Sequence, residues 1–145
     1  MNKLQELLGD RVHFVQSIDD WREAIRRSAE SLLKDDCIEQ KYVDAMIEGV
    51  EKLGPYMILT DGLIMPHSRP ENGAKKASMS FLKVENGVNF PEADAPVTLF
   101  FTLAAVDSDS HLEAMMKLAE VIDDEQKFEA LKKATTKEEV IKLIG

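Results

Sequence analysis

The segment that most constrains this chain is Val97-Thr98-Leu99-Phe100-Phe101-Thr102-Leu103-Ala104-Ala105-Val106. Apolar residues fill it without alternation, broken only by Thr98 and Thr102. A strand with one wet face alternates apolar and polar side chains, whereas a continuous apolar run marks a strand buried on both faces of a sheet. The run is far shorter than the roughly 20 residues a membrane helix requires. A fold built around such a strand has to cover both sides of its sheet, so the flanking segments must supply two layers.

They carry the pattern of helices. On the N-terminal side, Val12 to Val15 reads as a short strand, and Asp20-x-x-Glu23 then reads as a capping box. Behind it Trp21, Ala24, Ile25, Ser28, Ala29, Leu32 and Leu33 recur at helical spacing. A second amphipathic helix carries Tyr42, Val43, Met46, Ile47 and Val50, and Gly54-Pro55 stops it. Tyr56 to Leu59 and Leu63 to Met65 are short extended runs around a turn at Thr60-Asp61-Gly62. Pro66 to Lys76 is a loop, Met79 to Val84 a strand, and Glu85 to Pro96 a second loop.

Past the central run, Ser110-x-x-Glu113 reads as a capping box for a helix with Leu112, Met115, Met116, Ala119 and Ile122 on its apolar face. Two shorter helices close the chain. One carries Phe128 and Leu131; the other follows Thr135-x-x-Glu138 and carries Val140, Ile141 and Ile144. Helices before and after a group of strands predict an α/β fold: a single three-layer domain over residues 1–145, with a mixed β-sheet flanked by helices on both faces. Strand order does not follow from the pattern.

Charge narrows the partners. The formal net charge is -9, the opposite of the balance a duplex-binding protein needs to displace counterions. Nucleic acid and anionic membrane surfaces are thereby disfavoured, and a basic protein partner is favoured. The single cysteine, Cys37, can form no internal disulfide, and Asp35 and Asp36 beside it would raise its thiol pKa, so it reads as structural. No apolar signal-peptide core is visible, and the expected location is cytoplasmic.

Of the three histidines, two have contexts suited to chemistry. His67 lies just past a strand end in Leu63-Ile64-Met65-Pro66-His67-Ser68-Arg69-Pro70, held between two prolines. Strand ends of open α/β sheets are where ligands bind. A neutral imidazole with one nitrogen held by a hydrogen bond and the other free is a competent nucleophile toward phosphorus. His111 follows the central strand in Asp107-Ser108-Asp109-Ser110-His111-Leu112, in the first turn of the next helix. There the helix N-terminus favours a bound phosphate and a neutral ring, while Asp107 and Asp109 push toward the imidazolium. Arg69 offers a planar fork of donors to a phosphate. His13, within a short strand, reads as structural or exposed. The Met65, Met79, Met115 and Met116 side chains read as core filler, and Asp123-Asp124-Glu125 as a solvated helix junction.

Two blocks in this order resemble a known family. Gly54-Pro55-Tyr56 followed by Leu63 to Pro70, and then Leu103-Ala104-Ala105-Val106-Asp107 through Ser110-His111-Leu112, are similar to the two active-site blocks of the mannitol/fructose-type enzyme IIA domains of the sugar phosphotransferase system (PTS). The likeness runs over essentially the whole chain. Gly54-Pro55-Tyr56, Pro66 to Pro70 and Gly73-Ala74-Lys75-Lys76 look closest to the L-ascorbate-specific subgroup. The resemblance implies that His67 accepts a phosphoryl group on Nε2 from phosphorylated HPr and that His111 stabilises its charge. It also implies that the group passes to a cognate enzyme IIB, on a cysteine in ascorbate-type systems, without metal, nucleotide or other cofactor. One departure stands out. Mannitol-specific members carry an arginine on the helix before the glycine-containing turn, but Met46-Ile47-Glu48-Gly49-Val50 has none, so Arg69 would have to supply the site's cation.

Two other readings compete. A regulatory, nitrogen-type enzyme IIA would bind other proteins according to its phosphorylation state. A metal-dependent hydrolase would use His67 and His111, but it would need a helical His-x-x-x-His pair or a Cys/His cluster, and the chain has neither.

Overall fold

The computed structural model describes residues 3–145. Helix α1 (Lys3–Leu8) leads into strand β1 (Val12–Val15), and two long helices follow, α2 (Trp21–Lys34) and α3 (Gln40–Leu53). Then come β2 (Ile58–Thr60), β3 (Leu63–Ile64), β4 (Ser78–Val88) and β5 (Val97–Ala104), and the chain ends in α4 (Ser108–Asp123), α5 (Glu125–Lys133) and α6 (Lys137–Leu143). The five strands form one mixed sheet in the order β1-β4-β5-β3-β2. β4 is antiparallel to β5 and β2 to β3, while β1 runs parallel to β4 and β3 parallel to β5.

β5 is the central strand, and its side chains divide between two cores. Leu99, Phe101 and Leu103 join Met79 and Phe81 of β4 under α1, α4, α5 and α6. Phe100 and Ala104 join Leu82 and Val84 under α2 and α3. The three layers expected from the apolar run are therefore present. On the α2 side the sheet is pinned by a small buried polar cluster. Thr102 Oγ1 donates to Ser28 Oγ at 2.7 Å, Ser28 Oγ donates to the Ile25 carbonyl at 2.8 Å, and Ser80 Oγ donates to the Ser28 carbonyl. On the other side Lys83, 4% exposed, reaches the Ala134 carbonyl at the end of α5 (2.8 Å). Each polar group of these two contacts thus has a partner, which is the condition for burying it cheaply; on α2 the buried Ser31 hydroxyl has none among the described residues.

The faces predicted for α2 and α3 are the buried ones, with Leu33 half-buried. α3 ends at Gly54, whose φ of 78° lies in the left-handed region that favours glycine. β4 runs on through Val88, because Val88 pairs with Val97 across an irregularity; the expected loop from Glu85 is strand for its first residues. The capping predictions fare less well. Asp20 stands at the N-cap of α2 but makes no side-chain cap hydrogen bond. The cap of α4 is Asp107, which accepts from the Ser110 N–H, so Ser110 is already inside the helix. At α6 the box is shifted by one residue: Thr136 accepts from the Glu139 N–H, and Glu139 accepts from the Thr135 N–H.

The largest correction concerns α4. Its buried stripe is Ala114, Leu118 and Val121, flanked by half-buried Met115 and Ile122. Leu112 and Met116, predicted to be core, are each 59% exposed. Two stripes of similar apolarity run along this helix, and packing against α1 and the sheet selects the smaller one. Truncating Leu118 to Ala should therefore cost about 2–5 kcal/mol. Leu112→Ala and Met116→Ala should each stay within about 0.5 kcal/mol of the unsubstituted protein. Urea unfolding of the three variants checks this, and a Leu112→Ala loss as large as that of Leu118→Ala would contradict the placement of the helix.

Candidate active site

β3 and β5 are adjacent and parallel, so their carboxyl ends open side by side at one edge of the sheet. His67 follows β3 by three residues, and His111 lies in the first turns of α4 after β5. The two rings meet edge to face, with centroids 4.9 Å apart and planes at 86°. Arg69 lies with them around an open cavity of about 340 Å³ that also takes in Tyr56, Gly49 and Asp107. Arg69 is exposed and forms no ion pair with the described residues. The structure thus brings together all three residues singled out from the sequence. His13 is exposed on β1, at the far edge of the sheet with β4 and β5 between it and β3.

The backbone around His67 is tied down on both sides. The Pro66 carbonyl accepts from the Leu103 N–H of β5 at 2.9 Å. The Ser68 N–H donates to the Tyr42 hydroxyl at 3.0 Å, and that hydroxyl donates to the Leu103 carbonyl at 2.8 Å. Tyr42 is fully buried on α3, and burial raises its phenol above the usual range, so it stays protonated and can make both bonds at once. One hydroxyl therefore joins α3, the His67 loop and β5. Farther along, the loop is held to the α2–α3 connection by hydrogen bonds from the Lys75 and Lys76 N–H groups to the Cys37 carbonyl (2.8 and 3.1 Å). Cys37 is itself buried.

The ring of His67 is oriented by its own neighbour. Nδ1 lies 2.7 Å from the Met65 carbonyl oxygen, which can only accept, so Nδ1 carries the proton and Nε2 keeps its lone pair. Burial lowers the pKa of His67 below its ordinary value of 6.5; the Met65 bond opposes this in part, and the nearby His111 adds to it. The ring is therefore neutral at pH 7. His111 Nε2 lies 3.0 Å from the sulfur of Met115, one turn on. A thioether is a weak acceptor, so this nitrogen carries a proton that a better acceptor can draw away. Among the described residues there is no group of three or more His, Cys, Asp or Glu side chains arranged to hold a metal ion.

Sequence reasoning missed Tyr42 and Met115 as parts of this site, and had Tyr56 only as a member of the Gly54-Pro55-Tyr56 block, with no role of its own. Its spacing makes Tyr42 a core position of α3, which it is; its second role depends on Ser68 and Leu103, 26 and 61 residues away, and leaves no local signal. Met115 is four residues after His111 on the same helix, a spacing that could have been noticed.

Fold and site define an open-sheet α/β protein with a histidine pair at the carboxyl edge of two adjacent parallel strands. The chain belongs to the EIIA 2 family of the phosphoenolpyruvate-dependent sugar phosphotransferase system, whose family model matches residues 7–145. Membership makes it a phosphotransferase component. It is 34% identical over 146 residues to the ascorbate-specific PTS system EIIA component of Escherichia coli K12, covering 98% of this chain and 95% of that one. The solution structure of the mannitol-specific cryptic phosphotransferase enzyme IIA from Escherichia coli superposes with a TM-score of 0.91 at 37% identity, over 99% of this chain and 98% of that one. Enzyme IIAMtl in its complex with phosphorylated enzyme IIBMtl from Escherichia coli matches with a TM-score of 0.81 at 29% identity, over 94% of each chain. No helix among the described residues is long and apolar enough to cross a membrane.

Two outcomes follow from the geometry. NMR titration of the ring nitrogens should place the His67 midpoint below 6.5, because its burial penalises the charged ring; a midpoint at or above that value would contradict the buried, neutral ring. Tyr42→Phe leaves the Ser68 N–H and the Leu103 carbonyl without this shared partner. It should cost about 1–3 kcal/mol in denaturant unfolding and broaden the His67 resonances, whereas stability equal to that of the unsubstituted protein would show that the hydroxyl is not the tie.

Proposed function

We propose that residues 1–145 act as one enzyme IIA domain that accepts a phosphoryl group on Nε2 of His67 from phosphorylated HPr and passes it to a cognate enzyme IIB. The observation that carries this reading is the hydrogen bond from His67 Nδ1 to the Met65 carbonyl, which leaves Nε2 as a free nucleophile on a neutral ring. In the first step the Nε2 lone pair attacks phosphorus, the donor's P–N bond breaks, and the donor imidazole leaves with that electron pair. The Met65 carbonyl then stabilises the positive charge that the phosphorylated ring gains. His111 turns its Nε2–H from the Met115 sulfur to a phosphoryl oxygen, and Arg69 supplies the positive charge at the rim. In the second step a nucleophile of enzyme IIB, a cysteine in an ascorbate-type system, takes the phosphoryl group and returns the electron pair to His67. Positioning and electrostatics suffice for such a transfer, so no metal or other cofactor is invoked.

The partner assignment draws on the complex of enzyme IIAMtl with phosphorylated enzyme IIBMtl, a relative over nearly the whole chain. It also draws on exposed apolar side chains of the segments that carry the site: Tyr56, against His67, and Val106, Leu112 and Met116, before and along α4. Exposed apolar surface with a polar surround marks protein contact. The acidic surface suits a basic docking face on HPr. L-ascorbate or a related sugar acid is the transported substrate favoured by the Gly54 to Pro70 block and by the ascorbate-specific relative, and the setting is the cytoplasm.

The test is incubation with phosphoenolpyruvate, enzyme I and HPr. The protein should take up an acid-labile, base-stable phosphate, His67→Ala should take up none, and His111→Ala should label but slow transfer to enzyme IIB by about 10- to 100-fold, the weight of a hydrogen bond to a charged group. An unlabelled wild-type protein, or full labelling of His67→Ala, would overturn the reading.

A further inference from the structure

The ring of His67 has a second aromatic neighbour. Tyr56 stands edge to face with it, with centroids 6.2 Å apart and planes at 76°. Its phenol reaches over α3 at Gly49, where a Cβ would lie 3.0 Å from the hydroxyl oxygen and 3.3 Å from Met57 Cε. Gly49 is helical, and its missing side chain is what leaves room for the phenol. Tyr56 and Gly49 both line the cavity that holds His67 and His111. The Tyr56 hydroxyl has no hydrogen-bond partner among the described residues, and the residue is 49% exposed. Partial burial raises its phenol above the usual range, so at neutral pH it is a donor.

We propose that Tyr56 is a catalytic hydrogen-bond donor to the phosphoryl group carried on His67, and that Gly49 is the position that lets its hydroxyl sit over the cavity. This rests on the phosphoryl-acceptor reading of His67. Nδ1 of His67 is committed to Met65, which leaves Nε2 for a phosphoryl group, and Tyr56 and His111 line the same cavity as His67. His111 then offers an N–H and Tyr56 an O–H to the same group. Two donors converging on charge that develops in the transition state are worth more in a half-dry cavity than in water.

The experiment uses phosphoramidate, a small-molecule phosphoryl donor that needs no protein partner, and follows both the rate of His67 labelling and the ³¹P titration of the phosphorylated protein. Tyr56→Phe keeps the ring and its packing but loses the donor. It should label about tenfold more slowly. Its phosphoryl group should also titrate at higher pH than in the wild type, because a lost hydrogen bond to the dianion disfavours that form; a purely structural role would not move this midpoint. Gly49→Ala displaces the phenol and should slow labelling to the same degree, while the double variant should be no slower than Tyr56→Phe alone. Wild-type rate and midpoint in Tyr56→Phe would overturn the role of Tyr56, and a further slowing by Gly49→Ala in the Tyr56→Phe background would overturn the link to Gly49. Failure of the wild type to label at His67 would instead overturn the phosphoryl-acceptor reading itself, and this proposal with it.

Discussion

β5 has no side turned to water, and much of the structure follows from that. Its backbone groups are paired on one edge with antiparallel β4 and on the other with parallel β3. Its side chains point alternately into two apolar cores, so helices have to lie on both faces. The parallel pairing with β3 has a further effect. Parallel neighbours end at the same edge of a sheet, and the segments leaving β3 and β5 there are the ones that carry His67 and His111. The pair of rings is thus a product of sheet topology, at the place where open α/β sheets generally hold their ligands.

Holding a neutral histidine in that position has a thermodynamic cost. The native pKa of His67 lies below 6.5, mainly because burial penalises the charged ring. As pH falls through 6.5 the unfolded chain takes up a proton at this residue that the native state refuses. Its contribution to stability therefore declines from that point until pH reaches the lowered native value, where it levels off. Pro66, Ser68, Leu103 and the buried Tyr42 hydroxyl form a set of hydrogen bonds that holds the segment carrying the ring in place. The same bonds fix where Nε2 points.

The legible parts of the sequence were those in which one constraint acted alone. The apolar run of β5, the faces of α2 and α3, and the two histidines beyond strand ends could be recognised because burial or backbone stiffness left a local pattern. The helix starts were harder. Asp107 and Ser110 both have cap chemistry, and Thr135 and Thr136 are adjacent with Glu138 and Glu139 three residues beyond each; only the path of the chain chooses between them. Tyr42 carried no local mark of its place at the site, and Tyr56, though inside the recognised block, no mark of its contact with His67, because these contacts join segments that fold together only in the tertiary structure.

The misread face of α4 has a different cause, and it bears on what the site has to do. Leu112 and Met116 are four residues apart, so they form a second apolar stripe on a helix whose first stripe, Ala114, Leu118 and Val121, meets the core. Burial cannot explain the outer stripe, since each of its side chains is 59% exposed. It starts directly beside His111. On the proposed reading His67 carries a phosphoryl group that water could attack, and the cavity around it is open. Where a transfer site is completed by a docking protein, apolar side chains on its rim let the joint surface dry before the group moves. On that proposed reading α4 faces both a core and a partner and so carries two apolar stripes, and the sequence pattern alone does not say which stripe is which.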